Sequence, residues 1–241
     1  MLSGLIADGF SFAIRALTGA RALWRCPPMG DRRVYYGNHV SHGDFVMIWS
    51  ALPPALRGET RPVAGADYWQ RDALRRYLIR EVFNGVLIER DAAQPAAGQN
   101  DAGPNDPNPT DPNPAPHCDP DRRKHEALQT LCDAVDGGAS LILFPEGTRN
   151  QGEGLLPFKS GLYHLARLRP ELEFVPVWID NLARVMPKGK LLPLPLLCTA
   201  TFGEPLRLHS DEGKQAFLDR ARDALLALSE EQAAAATGGA A

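Results

Sequence analysis

Two short polar islands, at residues 38–44 and 144–149, carry the residue types that could do chemistry together. The first reads Asn38-His39-Val40-Ser41-His42-Gly43-Asp44 and supplies an imidazole base with a carboxylate to orient it. On one helix, positions 39 and 44 are separated by about 500° of rotation, roughly 140° around the axis, and would not share a face. They meet if His39 ends a strand and Asp44 opens the following helix, with Ser41-His42-Gly43 as the turn. Asp44 then accepts a hydrogen bond from one imidazole nitrogen, fixes the tautomer and leaves the other nitrogen as a base. Such positioned proton transfer is worth roughly 10²–10⁴ in rate. His42 is a second imidazole in the same loop. Ser41 suits a turn or helix cap better than a nucleophile. A base with no protein nucleophile beside it points to direct activation of a substrate hydroxyl.

The second island, Phe144-Pro145-Glu146-Gly147-Thr148-Arg149, has the makings of a phosphate cradle. Gly147 allows close approach of backbone amides, Thr148 offers a hydroxyl, and Arg149 a bidentate guanidinium. Glu146 would repel a phosphate if aimed inward, so it either orients Arg149, binds a substrate hydroxyl or serves the fold. The spacing is not that of a nucleotide P-loop, and Gly152-Glu153-Gly154 is only a lone GxG, without a dinucleotide fingerprint.

Each island follows an apolar run of strand character, Arg32–Gly37 and Ala139–Phe144. Helical spacing is read over 45–52, over 68–83 with Trp69, Leu74, Leu78 and Val82, over 122–135, 159–168 and 215–228. Further strands are expected at 63–64, 85–90, 174–179 and 199–202. Pro176 inside the 174–179 run favours an edge strand or a bulge. This alternation predicts an α/β fold: a mixed, mostly parallel sheet flanked by helices, with an N-terminal amphipathic helical segment. Residues 31–230 form the main domain, residues 1–30 the N-terminal segment and 231–241 a flexible tail. Residues 91–120 repeat Asp, Asn and Pro, contain no aromatic or large apolar residue, and read as a disordered insertion.

The formal charge of -3 over 241 residues disfavours whole-chain binding to nucleic acid. The four cysteines, Cys26, Cys118, Cys132 and Cys198, form no CxxC pair, which argues against a disulfide framework or a zinc site. No window reaches the roughly eighteen uninterrupted apolar residues of a membrane span. The apolar positions of Met1 to Trp24 suit a helix that covers the core or lies in a membrane interface. Arg71, Arg75, Arg76 and Arg80 give the 68–83 segment a basic side open to solvent or to anionic headgroups.

Four blocks of this sequence, taken in order, resemble the glycerolipid acyltransferases. They are NHVSHGD at 38–44, GVLIER at 85–90, FPEGTR at 144–149 followed by Phe158-Lys159 and Gly161, and VPV at 175–177. The Phe202-Gly203-Glu204-Pro205 turn also matches, so the resemblance spans 34–206 apart from the insertion. It implies that His39 deprotonates an acceptor hydroxyl, that Asp44 orients it, and that the hydroxyl attacks an acyl thioester. Arg90, Glu146, Gly147, Thr148 and Arg149 then belong to the acceptor phosphate or hydroxyl site, and Lys159 touches phosphate, acyl donor or solvent. The VPV block shapes the donor side and supports its strand. The function implied is an O-acyltransferase without bound cofactor or metal, moving a fatty acyl group from acyl-CoA or acyl-carrier protein to 1-acyl-glycerol 3-phosphate. Its partners would be a membrane lysolipid and an anionic membrane surface, and its place the cytoplasmic face of the cell membrane, attached peripherally. Rival readings are another lysolipid as acceptor, a thioester hydrolase using His39 on water, and a silent lipid-binding protein.

Overall fold

The computed structural model describes residues 9, 21–28, 32–41, 43–89, 119–150, 154–180 and 198–238. Seven strands form one sheet: β1 (Arg21–Trp24), β2 (Arg33–Gly37), β3 (Thr60–Gly65), β4 (Val86–Ile88), β5 (Ser140–Leu143), β6 (Glu173–Asp180) and β7 (Thr199–Phe202). Their order is β1-β7-β6-β2-β5-β3-β4, and every neighbouring pair is parallel except β6 and β7. The mixed, mostly parallel sheet read from the sequence is therefore present. Strands β2 to β6 all point the same way, so the segments that follow them emerge along one edge.

The sheet is buried on both faces because its strands alternate two apolar sets. Tyr35, Ile142, Val175 and Val177 face α1 (Asp44–Ala51), where they meet Phe45, Ile48, Trp49 and Leu52. Val34, Tyr36, Leu141, Leu143 and Phe174 face the other way, onto α5 (Pro120–Asp136), α6 (Gly161–Leu168) and α7 (Lys214–Gly238). The VPV block is thus core: Val175 and Val177 are fully buried under α1.

Between β2 and β4 the chain holds more elements than periodicity predicts. Pro53-Pro54 ends α1 but also opens α2 (Pro54–Glu59), with Pro54 in the first turn where a missing N–H costs nothing. The single helix expected over 68–83 is three pieces: α3 (Ala66–Trp69), α4 (Ala73–Tyr77) and a π-helical turn (Leu78–Val82). Asp72 breaks the run by capping α4, its carboxylate accepting from the Arg75 amide at 2.8 Å. The π-turn sets Phe83 edge-on against both Phe45 and Trp49 of α1.

Other expectations need correction. Residues 21–24, assigned to the N-terminal helix, are strand β1, because pairing with β7 outweighs their helical spacing; of residues 1–20 only Gly9 is described. The 91–118 part of the insertion lies outside the described residues. Strand β6 is central rather than an edge. Its Pro176 is accommodated by a bulge: Val175 and Pro176 face Gly203, Glu204 and Pro205, between the Val177–Phe202 pair and the Phe174–Leu206 bridge. Helix α7 runs on to Gly238, through the alanines expected to fray, which are the best helix formers. Among the described residues no helix is long and apolar enough to cross a membrane.

At the end of β2, Gly37 leaves no room for a side chain. A Cβ there would lie 2.9 Å from the Val177 carbonyl oxygen and 3.2 Å from Ile48 Cδ1. Gly37→Ala is expected to cost about 1–3 kcal/mol, read as a lower midpoint in urea unfolding; an unchanged midpoint would show that this close approach is not needed.

Candidate active site

The first island leaves β2 at the catalytic edge and is locked at its first residue. The Asn38 side chain donates from Nδ2 to the Ile179 carbonyl at 3.0 Å and accepts from the Ile179 amide at 2.8 Å. A buried amide thereby extends the β2–β6 pairing beyond Gly37. The next residue is His39. Its Nδ1 lies 2.8 Å from Asp44 Oδ2, the arrangement expected from a strand end and a helix start. Asp44 is fully buried, and Oδ2 also accepts from the amides of Val40 (2.7 Å) and Ser41 (2.8 Å), while Oδ1 accepts from Ser41 Oγ at 2.9 Å. Its place in the first turn of α1 puts the carboxylate at the positive end of the helix dipole. Four donors so arranged hold the carboxylate still, and it holds the ring. Ser41 is used up in this turn, its Oγ also accepting from the Gly43 amide at 3.0 Å. That is the turn role and not a nucleophile's. His42 lies outside the described residues.

A second constraint on the ring comes from the second island. Phe144 stacks on His39 with centroids 4.3 Å apart and planes within 13°. Asp44 fixes one edge of the imidazole and Phe144 its plane, so Nε2 is left as the free nitrogen. The side chain keeps 18% of its surface exposed, enough for that nitrogen to meet a substrate.

Glu146 joins the two islands. One carboxylate oxygen accepts from the His39 amide and the other from the Leu156 amide, both at 2.9 Å. Asn150 adds a side-chain hydrogen bond to the same carboxylate, and its own amide donates to the His39 carbonyl at 2.6 Å. His39 is thus gripped by its backbone N–H and C=O at once. The structure places the Glu146 oxygens on backbone amides, not on Arg149, so the residue braces the loop. Burial pushes its carboxyl above the ordinary range, against the opposing pull of these donors.

Beyond Glu146 the loop turns through Gly147 at φ +70°, a conformation that favours glycine. The Lys159 side chain lies over that turn, near enough that a Cβ on Gly147 would come within 3.1 Å of its Cγ. The Lys159 amide is tied to the Pro145 carbonyl at 2.7 Å. Arg149 and Thr148 are half-buried and Lys159 is exposed. Among the described residues, the Arg149 guanidinium, the Lys159 ammonium and the Thr148 hydroxyl have no hydrogen-bond or ion-pair partner. Two unneutralised cations beside a glycine turn make a setting for an anion. Arg90 lies outside the described residues, although β4, which leads to it, ends on the same edge. No group of three His, Cys, Asp or Glu side chains fit for a metal ion occurs among the described residues.

The Acyltransferase family model matches residues 25–180. The chain belongs to the acyltransferase family. The 1-acyl-sn-glycerol-3-phosphate acyltransferase of Haemophilus influenzae is 44% identical over 143 residues, 56% of this chain and 43% of that protein. The enzyme of the same name from Limnanthes douglasii is 37% identical over 84 residues, 33% of this chain and 30% of that one. The matched segments therefore span less than half the length of these relatives. Among solved structures, the 1-acyl-sn-glycerophosphate (LPA) acyltransferase PlsC of Thermotoga maritima superposes with a TM-score of 0.63. At 17% identity it covers 95% of this chain and 80% of that one, and it shares the fold.

Asn38, Phe144 and Asn150 are the site residues that sequence reasoning missed. For Asn38 and Phe144 the signal was position, each opening its island directly after the last residue of a strand; Asn150, well past the end of β5, carries no such signal. For Glu146, the brace predicts a pH signature. A carboxyl whose folded pKa is raised contributes stability that is full below the unfolded value and is lost as pH rises through the folded one. Glu146→Gln removes that loss and turns an amide donor toward one of the two backbone N–H groups, at a cost of about 1–3 kcal/mol. In urea titrations the gap between the unaltered chain and E146Q should narrow as pH climbs above the ordinary glutamate range. A gap independent of pH would show that burial does not outweigh the donors that hold this carboxyl.

Proposed function

We propose that this acyltransferase moves a fatty acyl group from a thioester donor to the free hydroxyl of 1-acyl-glycerol 3-phosphate, giving phosphatidate. One observation carries the reading. A histidine held at Nδ1 by Asp44 is bound through its backbone to the loop that bears the unpaired Arg149 and Lys159. A base for a hydroxyl and a clamp for a phosphate thus belong to one rigid assembly, and the acceptor carries both groups. The names of the relatives support the same acceptor.

The steps follow from the geometry. His39 Nε2 takes the proton of the acceptor hydroxyl as its oxygen attacks the thioester carbonyl carbon. Asp44, the acceptor at Nδ1, stabilises the imidazolium that forms. The C–S bond breaks, the acyl group stays on the acceptor oxygen, and the thiolate takes the proton back from His39. No covalent acyl-enzyme forms and no bound cofactor is needed. Acyl-CoA and acyl-carrier protein both present the required thioester. Arg149 holds the acceptor phosphate with two parallel hydrogen bonds, and Lys159 adds a second charge.

The test is transfer by the purified full chain from labelled acyl-CoA and acyl-carrier protein to a panel of lysolipids. Lysophosphatidate should be the best acceptor, and His39→Ala should lower turnover by roughly 10²–10⁴. Arg149→Lys should raise KM for lysophosphatidate by about ten- to a hundred-fold while sparing use of a phosphate-free acceptor. Donor consumption without acceptor would indicate a hydrolase, and equal use of phosphate-free lysolipids would remove the clamp from the argument.

A further inference from the structure

The segment between β3 and β4 carries a surface that the chemistry does not use. Because β3 is parallel to β5 and its Thr60–Pro62 pair with Ser140–Ile142, Gly65 lies level with the start of the second island. Helices α3 and α4 therefore stand on the catalytic edge. They are mounted firmly: Trp69 packs edge-on against Phe45, the residue after Asp44, at 5.4 Å. Arg75 stacks on Tyr68 at 4.1 Å and pairs with Asp72 at 3.0 Å.

On this rigid base, Leu74 is 67% exposed and Tyr77 43% exposed, two of the four large exposed apolar side chains among the described residues. At i and i+3 they share one side of α4. Arg71, Arg76 and Arg80, close by in sequence, are exposed as well. From Gln70 to Arg80 the sequence has four arginines against one carboxylate, Asp72, which is already paired with Arg75. Among the described residues, Arg71 and Arg76 reach only backbone carbonyls, those of Asp67 and Gln70, so their charges are not neutralised there. Asp67 and Glu81 flank the stretch and do not interrupt it. Exposed apolar tips in one stretch with three guanidinium groups that no carboxylate pairs, among the described residues, match a layer of anionic headgroups over acyl chains.

We propose that Leu74 and Tyr77, with Arg71, Arg76 and Arg80, dock this chain onto an anionic phospholipid bilayer. The catalytic edge then faces the headgroups. The inference rests on the lysolipid reading for its purpose, since an acceptor so presented reaches His39 without leaving the membrane. It rests on the exposed residues alone for its physics.

The test uses the full chain and sedimentation with phosphatidylcholine vesicles, with and without phosphatidylglycerol. Two paired variants accompany it, Leu74→Ser with Tyr77→Ser and Arg71→Gln with Arg80→Gln. The unaltered chain should favour anionic vesicles and lose binding as salt rises. Removing two arginines should weaken low-salt binding by about 25-fold, five-fold for each charge. Removing the apolar tips should weaken binding by roughly ten-fold or more. Both variants should keep full transfer to a monomeric short-chain lysophosphatidate and lose transfer to the same headgroup embedded in vesicles. Binding by both variants equal to the unaltered chain, or indifferent to phosphatidylglycerol, overturns the docking proposal. Absence of transfer to the monomeric acceptor by the unaltered chain counts instead against the acyl-acceptor reading.

Discussion

The active site depends on one buried carboxylate. Among the described residues, Glu146 is the only link in which a side chain of the second island holds the backbone of the first at His39. Burying a carboxylate is costly unless its oxygens are satisfied, and here backbone amides and an amide side chain satisfy them. Without that bond, the second loop would hold His39 only through the Asn150 amide and the Phe144 ring. The Asn150 amide on the His39 carbonyl completes the grip from the same loop. The two islands are thereby held as one object.

The parallel sheet makes that grip possible. Strands β2 and β5 are neighbours with Tyr36 opposite Leu143, so the residues that follow each must emerge side by side. Ligand sites of open α/β sheets form where such strand ends meet. Strand β6 supports the other flank of β2, and Asn38 carries the ladder one residue further through its side chain. A central sheet buried on both faces gives a scaffold stiff enough to fix a ring plane and a nitrogen direction.

Much of this was legible in the residues because chemistry constrains type and spacing together. His39 and Asp44 could meet only across a strand-to-helix turn, and they do. The buried strands were recognisable from their apolar runs. What stayed hidden was decided by tertiary pairing. A glutamate in a polar loop looks like a ligand until its burial against two amides is seen. Residues 21–24 continue a helical apolar pattern, and only β7 makes them a strand. Pro176 left an edge and a bulge both open, and only the place of β6 in the sheet decides for the bulge. The helix over 68–83 had a valid period, but Asp72 as a cap breaks it at a point that spacing cannot mark. Asn38 and Asn150 act through backbone partners remote in sequence, which local pattern does not reveal.

The pairing of β1 with β7 also bears on how the chain reaches this state. Arg21 is among the first described residues, yet its partner Thr199 comes near the end. During synthesis β1 has no neighbour until β6 and β7 have been made, and β2 waits for both β5 and β6. Such long-range pairing folds slowly and leaves strand edges open to other chains in the meantime. The His39 loop cannot be gripped before residues 146–156 exist, nor Asn38 paired before Ile179. On a ribosome, the His39–Asp44 pair cannot take this arrangement until the chain has been made as far as Ile179.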